Sequence, residues 1–450
     1  MASAVLVLLL LLLVALTLRR PVYGIMCYYA IRMVIPSASR VASFSFNTVS
    51  LGLLLLCLLP HIKKYYRTAD VRVRAYIKAV CWLVGCLFVL TFFGSIPLTF
   101  QWSALLQMFM TEMLPSILLA LFLTKACDYK KFCRLVCVLA LFTALYGIYT
   151  YLTSDNPIYT MFNTTGEEGY LLEDYATGRL GLEGIAVGIY NDKIALSLIC
   201  LLLLTFLLDK TTLSKPLQAA TLALVFVAMF LTTQRTALFC VGLFFAIMLL
   251  FDKQNKPIRR YFKAAVCLLV VVAVFSGGGI IMDSLYSLIY IFDDSMQQRL
   301  GIGGSSTEMR MLQFANGFSY LGLGHLLQGE GYSFPSYYYE HIYRSELLGL
   351  DPRFFGFESF LLQTLMSSGL IGIVVWFVGL FRMYKALAPV LNVYNIAFFA
   401  SYFLAIIMTD TSASFYLFFF LLVLNHKRYL STGQTISENA SLNNNPRLQR

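Results

Sequence analysis

A series of apolar runs constrains the fold of this chain more than any other feature. With 59% hydrophobic and only 13% charged residues, the 450-residue chain is not an ordinary soluble domain. Most runs are roughly 17–25 residues long, the length an α-helix needs to cross a bilayer. The sequence therefore predicts an all-α, polytopic membrane protein with about twelve to thirteen transmembrane helices. The predicted spans are 2–18, 21–37, 43–60, 77–97, 103–124, 133–153, 191–208, 216–233, 235–251, 263–281, 357–380, 388–409 and 411–425.

Basic residues occur in alternate connections between these spans. The main clusters are 63–78, 125–134 and 252–263, and shorter ones are 19–20, 382–385 and 426–428. The positive-inside rule makes this side cytoplasmic, which places the N-terminus outside and the C-terminus inside. The net charge of +11 is therefore interpreted as a topology signal with a weak attraction to membrane lipids. No nucleic-acid-binding motif is visible, so we expect no nucleic acid partner.

Two predicted outer loops are large enough to carry function, 154–190 and 282–356. The first span lacks a basic leader and a cleavage site, so it is expected to stay as a membrane anchor. The cysteines lie in predicted helices or cytoplasmic turns, which argues against disulfides and a structural zinc site. The predicted organisation is N-terminal helices 1–153, a first outer loop 154–190, central helices 191–281, a second outer loop 282–356, C-terminal helices 357–428 and a disordered cytoplasmic tail 429–450.

The second outer loop carries local structure of its own. The stretch SSTEMRMLQFANGFSYLG (305–322) has helical spacing, and GEG (329–331) predicts a turn. Tyrosines are dense just after that turn. Their rings could stack on sugars or lie in an aromatic belt at the membrane surface, and the sequence leaves both interpretations open. These tyrosines are Tyr332, Tyr337, Tyr338, Tyr339 and Tyr343.

Three arginines in separate outer segments are candidate ligands for a phosphate group. Arg235 lies in LTTQRTALF (231–239), at the joint of two spans, where a snorkelling side chain would need no function. Arg179 is the one base in an acidic loop, within the glycine-rich stretch GRLGLEGIAVGIYNDK (178–193), and could simply neutralise its neighbours. Arg310 lies in the predicted loop helix. Guanidinium groups bind phosphate oxygens in bidentate fashion and stay charged at any relevant pH.

Glu358 is the candidate catalytic carboxylate, at the predicted outer start of the span 357–380. It could accept a proton from a sugar hydroxyl, or it could only cap its helix. His341, Arg344 and Asp410 are secondary candidates on the same side. We expect no metal site, because His325 and His341 alone are too few for a convincing cluster and no metal-binding motif is present.

These motifs together resemble the O-antigen polymerase and ligase superfamily, bacterial enzymes that join lipid-linked glycans outside the cytoplasmic membrane. The resemblance rests on GRLGLEGIAVGIYND, TTQRTALF, the Arg310 helix, GEG and ESFLLQTLMSSGLIG, in that order, and covers roughly 178–375 in detail. Ligases of the superfamily typically carry a histidine where this sequence has Glu358. That departure favours a polymerase, although His341 lies nearby in sequence.

The resemblance implies a glycosyltransferase of the C type (GT-C-like) in the bacterial inner membrane, with its active site facing the periplasm. Its partners would be undecaprenyl diphosphate-linked glycans, with a chain-length regulator protein as a further candidate. The resemblance implies that the reaction inverts the anomeric centre and uses neither metal nor cofactor. Glu358 would be the general base, and Arg179, Arg235 and Arg310 would bind the diphosphate. The alternatives are an O-antigen ligase and, in another class, a lipid-linked oligosaccharide flippase, which Arg32 and Glu112 within the spans would support.

Overall fold

The computed structural model describes residues 2–41, 44–163, 185–209, 215–251, 306–343, 357, 359–387, 393–409 and 414–427. At Arg235 and at residues 306–310 it describes the backbone alone. Within these ranges the chain is almost entirely helical, apart from the antiparallel pair Arg40–Val41 and Phe44–Ser45. The predicted all-α, polytopic membrane fold is confirmed.

The helices are numbered here in chain order. They are α1 (Ala2–Arg19), α2 (Pro21–Val34), α3 (Phe46–Thr68), α4 (Val71–Leu90), α5 (Leu98–Met108), α6 (Leu114–Phe122), α7 (Ala126–Thr153), α8 (Pro157–Phe162), α9 (Lys193–Asp209), α10 (Lys215–Leu231), α11 (Arg235–Phe251), α12 (Ser306–His325), α13 (Phe334–Tyr337), α14 (Phe360–Leu387), α15 (Val393–Met408) and α16 (Phe415–Lys427).

Six helical segments in the described part of the chain are long and apolar enough to cross a membrane. They are α1, α3, α4 with its extension to Phe93, the continuous stretch α5–α6, α7 and α14. Helices α9, α10, α11, α15 and α16 are apolar but shorter. The predicted span 263–281 lies outside the described residues. The total number of crossings, their sidedness and the division into segments therefore stay predictions.

The basic segments that the sequence predicts to be connections lie largely at the ends of helices. Helix α3 runs on to Thr68, and α4 begins at Val71 after a joint of two residues. The Asp70 carboxylate caps α4 by accepting from the Arg72 backbone N–H at 3.3 Å. The segment 125–134 is likewise almost all within α7. Hydropathy detects only the apolar part of a span, whereas lysine and arginine extend a helix readily and reach the membrane surface by snorkelling.

Helix α2 is too short for the span predicted at 21–37. Its 14 residues rise about 21 Å, against a hydrocarbon core of about 30 Å. Helix α16 is similarly short, and the stretch α5–α6 is interrupted by a π-helical turn at Phe109–Met113. These irregular points meet inside the bundle, where backbone groups at helix ends need partners because lipid offers none.

Arg32 and Glu112 supply those partners. The Arg32 Nη2 atom lies 2.6 Å from Glu112 Oε1, and the two side chains are 8% and 11% exposed. The second carboxylate oxygen of Glu112 accepts the backbone N–H of Tyr416, in the first turn of α16, at 2.7 Å. Arg32 also donates to the Thr111 carbonyl in the π-helical turn, and its guanidinium carbon lies 3.9 Å from the centre of the Tyr416 ring. We name Arg32, Glu112 and Tyr416 the ion-pair cluster.

Candidate functional site

Helix α14 breaks at Gly369, where the backbone adopts φ 62° and ψ −163°. The break removes two helical hydrogen bonds. The irregular segment that follows α12 supplies the replacement partners. Backbone groups of the turn GEG and of the residues just before it form hydrogen bonds with the backbone groups that the break leaves unpaired in α14. The four bonds are Glu330 N to Met366 O at 2.8 Å, Gly331 N to Ser367 O at 2.9 Å, Leu370 N to Leu326 O at 3.0 Å and Ile371 N to Leu327 O at 3.1 Å.

Glycine is required on both sides of this crossing. Gly329 has φ 72°, and a Cβ atom placed there would lie 2.5 Å from the Ser368 backbone nitrogen. Gly369 is also in the left-handed region, and a Cβ atom there would meet the Leu327 carbonyl even more closely. Side chains rarely adopt that backbone, and no rotamer removes a clash with backbone atoms. We name Gly329 and Gly369 the glycine crossing; it joins the two motifs, GEG and GLIG, that carry part of the family resemblance.

The connection between α4 and α5 fixes the same turn from its other side. The backbone N–H groups of Ser95 and Ile96 donate to the Glu330 carbonyl at 2.7 and 3.3 Å. The Ser95 hydroxyl contacts the Glu330 carboxylate, and the Gln101 side chain accepts from the Tyr332 backbone N–H at 2.8 Å. The buried Glu330 is therefore engaged in holding the turn.

A cavity of about 350 Å³ opens beside the glycine crossing. Small-molecule sites typically occupy about 300–1,000 Å³. Aromatic rings and short hydroxyl or amide side chains line it together, the combination that packs on sugar C–H faces and binds sugar hydroxyls. The lining residues are Tyr332, Ser333, Pro335, Ser336, Tyr339, Phe357, Phe360, Gln363, Thr364, Ser367, Ser368 and Trp376.

Burial raises the pKa of the Tyr332 hydroxyl, with a smaller contribution from the Glu112 carboxylate. The group therefore stays protonated at neutral pH and can donate a hydrogen bond beside the cavity.

Glu358 lies outside the described residues, but both of its sequence neighbours are described. Ser359 caps α14, since its hydroxyl accepts from the Leu362 backbone N–H at 3.4 Å. Its backbone carbonyl accepts from Gln363 N at 2.8 Å, the first bond of the helix. Phe357 lines the cavity and adopts a positive φ of 52°. The capping role that the sequence allows for Glu358 is thus filled by Ser359, and the general-base role of Glu358 stays a prediction.

The start of α14 is joined to the end of α15. The Ser359 hydroxyl donates to the Ile407 carbonyl at 2.5 Å. At the other end of the connection that follows α15, the Ser414 hydroxyl lies 2.9 Å from the Tyr402 hydroxyl. Asp410 itself lies outside the described residues. The residues around Glu358 and those around Asp410 are therefore brought together by the fold, although they are far apart in sequence.

Arg235 is the first residue of α11, and the turn before it connects directly to α10. The backbone N–H of Ala186 donates to the Leu231 carbonyl at 2.9 Å at the end of α10. Ala186, within the glycine-rich stretch 178–193, therefore lies beside the TTQRTALF joint, while Arg179 of the same stretch lies outside the described residues. Helix α9 begins at Lys193 rather than at residue 191, because Asn191 adopts a left-handed backbone and the Asp192 side chain accepts from Ile194 N.

Arg310 lies in the first two turns of α12, and the predicted loop helix is confirmed with a break at Gly322. Helix α12 packs on α14 through Gly317, where an added Cβ would lie 3.0 Å from Leu362 and 3.3 Å from Met366. The arginine helix therefore packs against the first turns of α14, which follow Glu358 in sequence. Arg344 lies outside the described residues.

His341 is exposed and does not line the cavity. Its ring stacks on Tyr337 with centroids 4.4 Å apart, and its Nδ1 atom lies 4.0 Å from the Glu340 carboxylate. The five loop tyrosines do not act as one platform. Tyr338 is buried in a small core with Phe334 and Phe357, whereas Tyr332 and Tyr339 line the cavity.

A second cavity, of about 330 Å³, lies at the predicted cytoplasmic end, between α3, α4, α6, α7 and the last residue of α16. Asp70, Lys125 and Lys427 line it. None of the predicted site residues contributes to its wall, so the first cavity remains the candidate functional site.

Sequence reasoning missed Ser95, Gln101, Ser359 and Gln363. Gln101 and Ser95 belong to GSIPLTFQW (94–102), a polar interruption between two apolar runs. Such an interruption at a span boundary suggests a connection in water, so nothing in it points to the GEG turn. Only the fold shows that these polar groups contact the second loop.

The fold and the cavity define a polytopic α-helical membrane protein with a polar and aromatic cavity between its bundle and its late large loop. Residues 220–377 match the family model described as O-antigen ligase. The match supports the resemblance to the O-antigen polymerase and ligase superfamily, and the family indicates a glycosyltransferase-like enzyme. The matched segment contains Arg235, Arg310, the glycine crossing and Glu358. No curated protein matches the chain.

Proposed function

We propose that this protein polymerises oligosaccharide repeat units linked to undecaprenyl diphosphate into a surface polysaccharide, an O-antigen or a capsule. The reaction would take place at the outer, periplasmic face of the bacterial inner membrane. The observation that carries the proposal is the sugar-compatible cavity beside the glycine crossing, within the segment that matches the O-antigen ligase family.

In the proposed reaction a hydroxyl oxygen of the acceptor repeat attacks the anomeric carbon of the donor glycan. The new glycosidic bond forms as the bond from that carbon to the diphosphate oxygen breaks, and the configuration inverts. Glu358 takes the hydroxyl proton. Undecaprenyl diphosphate leaves, and Arg179, Arg235 and Arg310 stabilise its developing charge, a role that fixed cations can fill in place of a metal.

The geometry supports these roles indirectly, through the neighbours of the proposed residues. Phe357 and Phe360, which flank Glu358 and Ser359, both line the cavity. The segment that follows Arg179 is bonded to the turn that precedes Arg235. The arginine helix α12 packs on the first turns of α14.

The nearest alternative is an O-antigen ligase that transfers finished polymer to the lipid A core. The description of the matching family favours this function directly. His341, the residue that would supply a ligase-type histidine, is exposed and stacked on Tyr337 outside the cavity. That placement supports the polymerase over the ligase.

A flippase for lipid-linked oligosaccharide is the alternative of another class. Broken helices that meet at polar residues inside the membrane are typical of transporters. Arg32 and Glu112 form such a meeting point, but they bind each other and the ends of the interrupted helices. Because the two charged groups are already paired with each other and with helix ends, they are poorly suited to bind a substrate that moves through the membrane.

The glycan profile of a deletion strain distinguishes the three functions. Loss of the polymerase should leave one repeat unit attached to the lipid A core, and the cloned gene should restore the ladder. Polymer that accumulates on the lipid carrier would instead indicate a ligase. Loss of surface glycan with single lipid-linked units retained inside the cell would indicate a flippase.

A further inference from the structure

From Met311 onwards, where its side chains are described, helix α12 lacks the charged face that a helix in water presents. From residue 311 to residue 324 it contains no Asp, Glu, Lys or Arg. In this part of the helix the exposed residues with a polar side-chain group are Ser319 and Tyr320, Asn316 is half-buried, and Gln313 is fully buried. The other exposed side chains are apolar, and they are Met311, Leu312, Ala315, Phe318 and Leu323. A surface helix of a soluble protein has the opposite distribution.

The exposed apolar side chains do not face the bundle. Gly317 and Leu321, four residues apart and hence on one face of the helix, are buried towards α14. Met311, Ala315 and Phe318 follow a helical spacing on a different face. One side of α12 therefore packs on the protein, and another presents an apolar surface that no residue in the described part of the chain covers.

This surface continues beyond the end of the helix. Gly322 adopts φ 56° and interrupts the helix, after which Leu323 is 91% exposed and Leu327 is 58% exposed. The carbonyls of Leu326 and Leu327 bind the backbone of Leu370 and Ile371 in α14. The exposed leucines of the loop thus lie beside a helix that is long and apolar enough to span a membrane.

The face of α14 at that point is itself exposed and apolar. Leu370, Ile371 and Val374 begin a stripe that runs down the helix through Phe377 and Phe381. In a transmembrane helix such a stripe faces lipid. Because Leu327 is bonded to the top of the stripe, the apolar surface of α12 is continuous with the lipid-facing surface.

An aromatic group at the same end of the bundle indicates the level of the membrane surface. Phe92, Phe93 and Trp102 are exposed, and the Trp102 indole N–H donates to the Thr91 hydroxyl at 3.0 Å. Tryptophan, with an apolar ring and a hydrogen-bonding N–H, is typical of the boundary between lipid and water. The same connection, through Ser95, binds the GEG turn that follows Leu327.

We propose that Met311, Ala315, Phe318, Leu323 and Leu327 form a lipid seat that inserts among the acyl chains of the adjacent membrane leaflet. The loop helix then lies along the membrane rather than in water. The seat holds the arginine helix and the cavity at the depth of lipid headgroups. This inference rests on exposure and continuity alone and is independent of the sugar chemistry proposed above.

Photocrosslinking in lipid nanodiscs tests the proposal. The full-length protein carries p-benzoylphenylalanine at position 323, and a matched control carries it at the exposed, charged position 340. After irradiation, mass spectrometry should find lipid adducts at least tenfold more abundant at 323 than at 340. Crosslinks from 323 to another segment of this chain or to a second copy, or equal adduct levels at both positions, would overturn the proposal.

A second experiment keeps the test independent of any one probe position. With the crosslinker at 318, the additional substitution Leu323→Glu should lower the lipid adduct several-fold, because a carboxylate draws the helix end out of the acyl chains. Leu323→Met should leave the adduct unchanged. An adduct at 318 that is insensitive to both substitutions would show that Leu323 does not anchor the helix in lipid.

Discussion

Two regions of the bundle leave helix backbone groups without partners in their own helix, and the two regions supply those partners differently. At the ion-pair cluster the interrupted helices are capped by the charged side chains of Arg32 and Glu112, with both carboxylate oxygens engaged. At the glycine crossing the broken helix α14 exchanges four hydrogen bonds with a loop strand, so backbone satisfies backbone. The charged side chains of the ion-pair cluster are therefore bonded to helix ends and to each other. At the glycine crossing, serine, threonine and glutamine side chains line a cavity.

The comparison separates polar residues that hold the structure from polar residues that could bind a ligand. A buried charge is a functional candidate by default in a membrane segment, yet Arg32 and Glu112 are accounted for by structure alone. The backbone exchange at the glycine crossing leaves the hydroxyls of Thr364, Ser367 and Ser368 in the cavity wall, where a ligand can reach them.

The largest effect is expected at the outer arginines. Arg235→Ala and Arg310→Ala should each abolish polymer in a complementation assay while the protein level stays near wild type. Lysine should rescue poorly, because it binds phosphate as a point charge without the bidentate fork. Arg382→Ala is the matched control, since Arg382 lies over the Trp82 ring near the end of α14 and does not line the cavity, so this variant should retain polymer. Full activity of Arg235→Lys would show that only a positive charge is needed at this position, and not bidentate binding of phosphate.

The glycine crossing should be the most sensitive structural point. Gly369→Val places a branched side chain against the Leu327 carbonyl and in a left-handed backbone, which should cost more than about 3 kcal/mol of stability. Gly324→Ala is the control in the same loop, because nothing lies within 4 Å of a Cβ atom there. Thermal unfolding of both purified variants measures the difference. Equal stability of the two would show that the backbone exchange is dispensable.

The ion-pair cluster should matter for stability and not for turnover. Arg32→Met leaves the Glu112 carboxylate buried without its partner, which should cost about 3–5 kcal/mol. The double variant Arg32→Met/Glu112→Gln should recover most of that loss, because the glutamine oxygen can still accept from the Tyr416 backbone N–H. Thermal unfolding distinguishes these cases. A double variant as unstable as Arg32→Met would mean that the charges themselves hold the helix ends.

A smaller effect is expected in the cavity wall. Gln363→Leu removes a side chain that donates to the Phe357 carbonyl at 2.9 Å and lines the cavity. The rest of the Gln363 amide is expected to bind a sugar hydroxyl in the cavity, and loss of that one hydrogen bond should lower the polymerisation rate by about tenfold. Gln107→Leu, at an exposed position of α5, is the control and should act as wild type. An unchanged polymerisation rate in Gln363→Leu would indicate that the substrate does not contact this part of the cavity wall.

The fold was largely predictable, because a bilayer demands apolar helices and the sequence displays them. The interruptions were not: α2 was predicted at 21–37 but ends at Val34, and the π-helical turn within α5–α6 has no signal in hydropathy. Those irregularities depend on Arg32 meeting Glu112, a contact between residues 80 positions apart.

The candidate site was predictable as motifs but not as geometry. Order and composition indicate GEG, GLIG and Glu358, yet only the fold brings Gly329 against Gly369 and shows that Ser359 is the helix cap. A hydroxyl next to a carboxylate at a helix start leaves two capping candidates, and local sequence does not decide between them. His341 was predicted as a secondary candidate and is stacked on Tyr337 outside the cavity.

An assay of the purified enzyme determines whether chemistry resides at the cavity or at the ion-pair cluster. Purified protein is supplied with repeat units linked to undecaprenyl diphosphate, and ladder formation is followed over time. Wild type and Arg32→Met/Glu112→Gln should build ladders at similar rates, whereas Glu358→Gln should be about 100- to 10,000-fold slower, the usual contribution of a general base. A stable Glu358→Gln protein that builds ladders at the wild-type rate, or a folded double variant that builds none, would contradict the account.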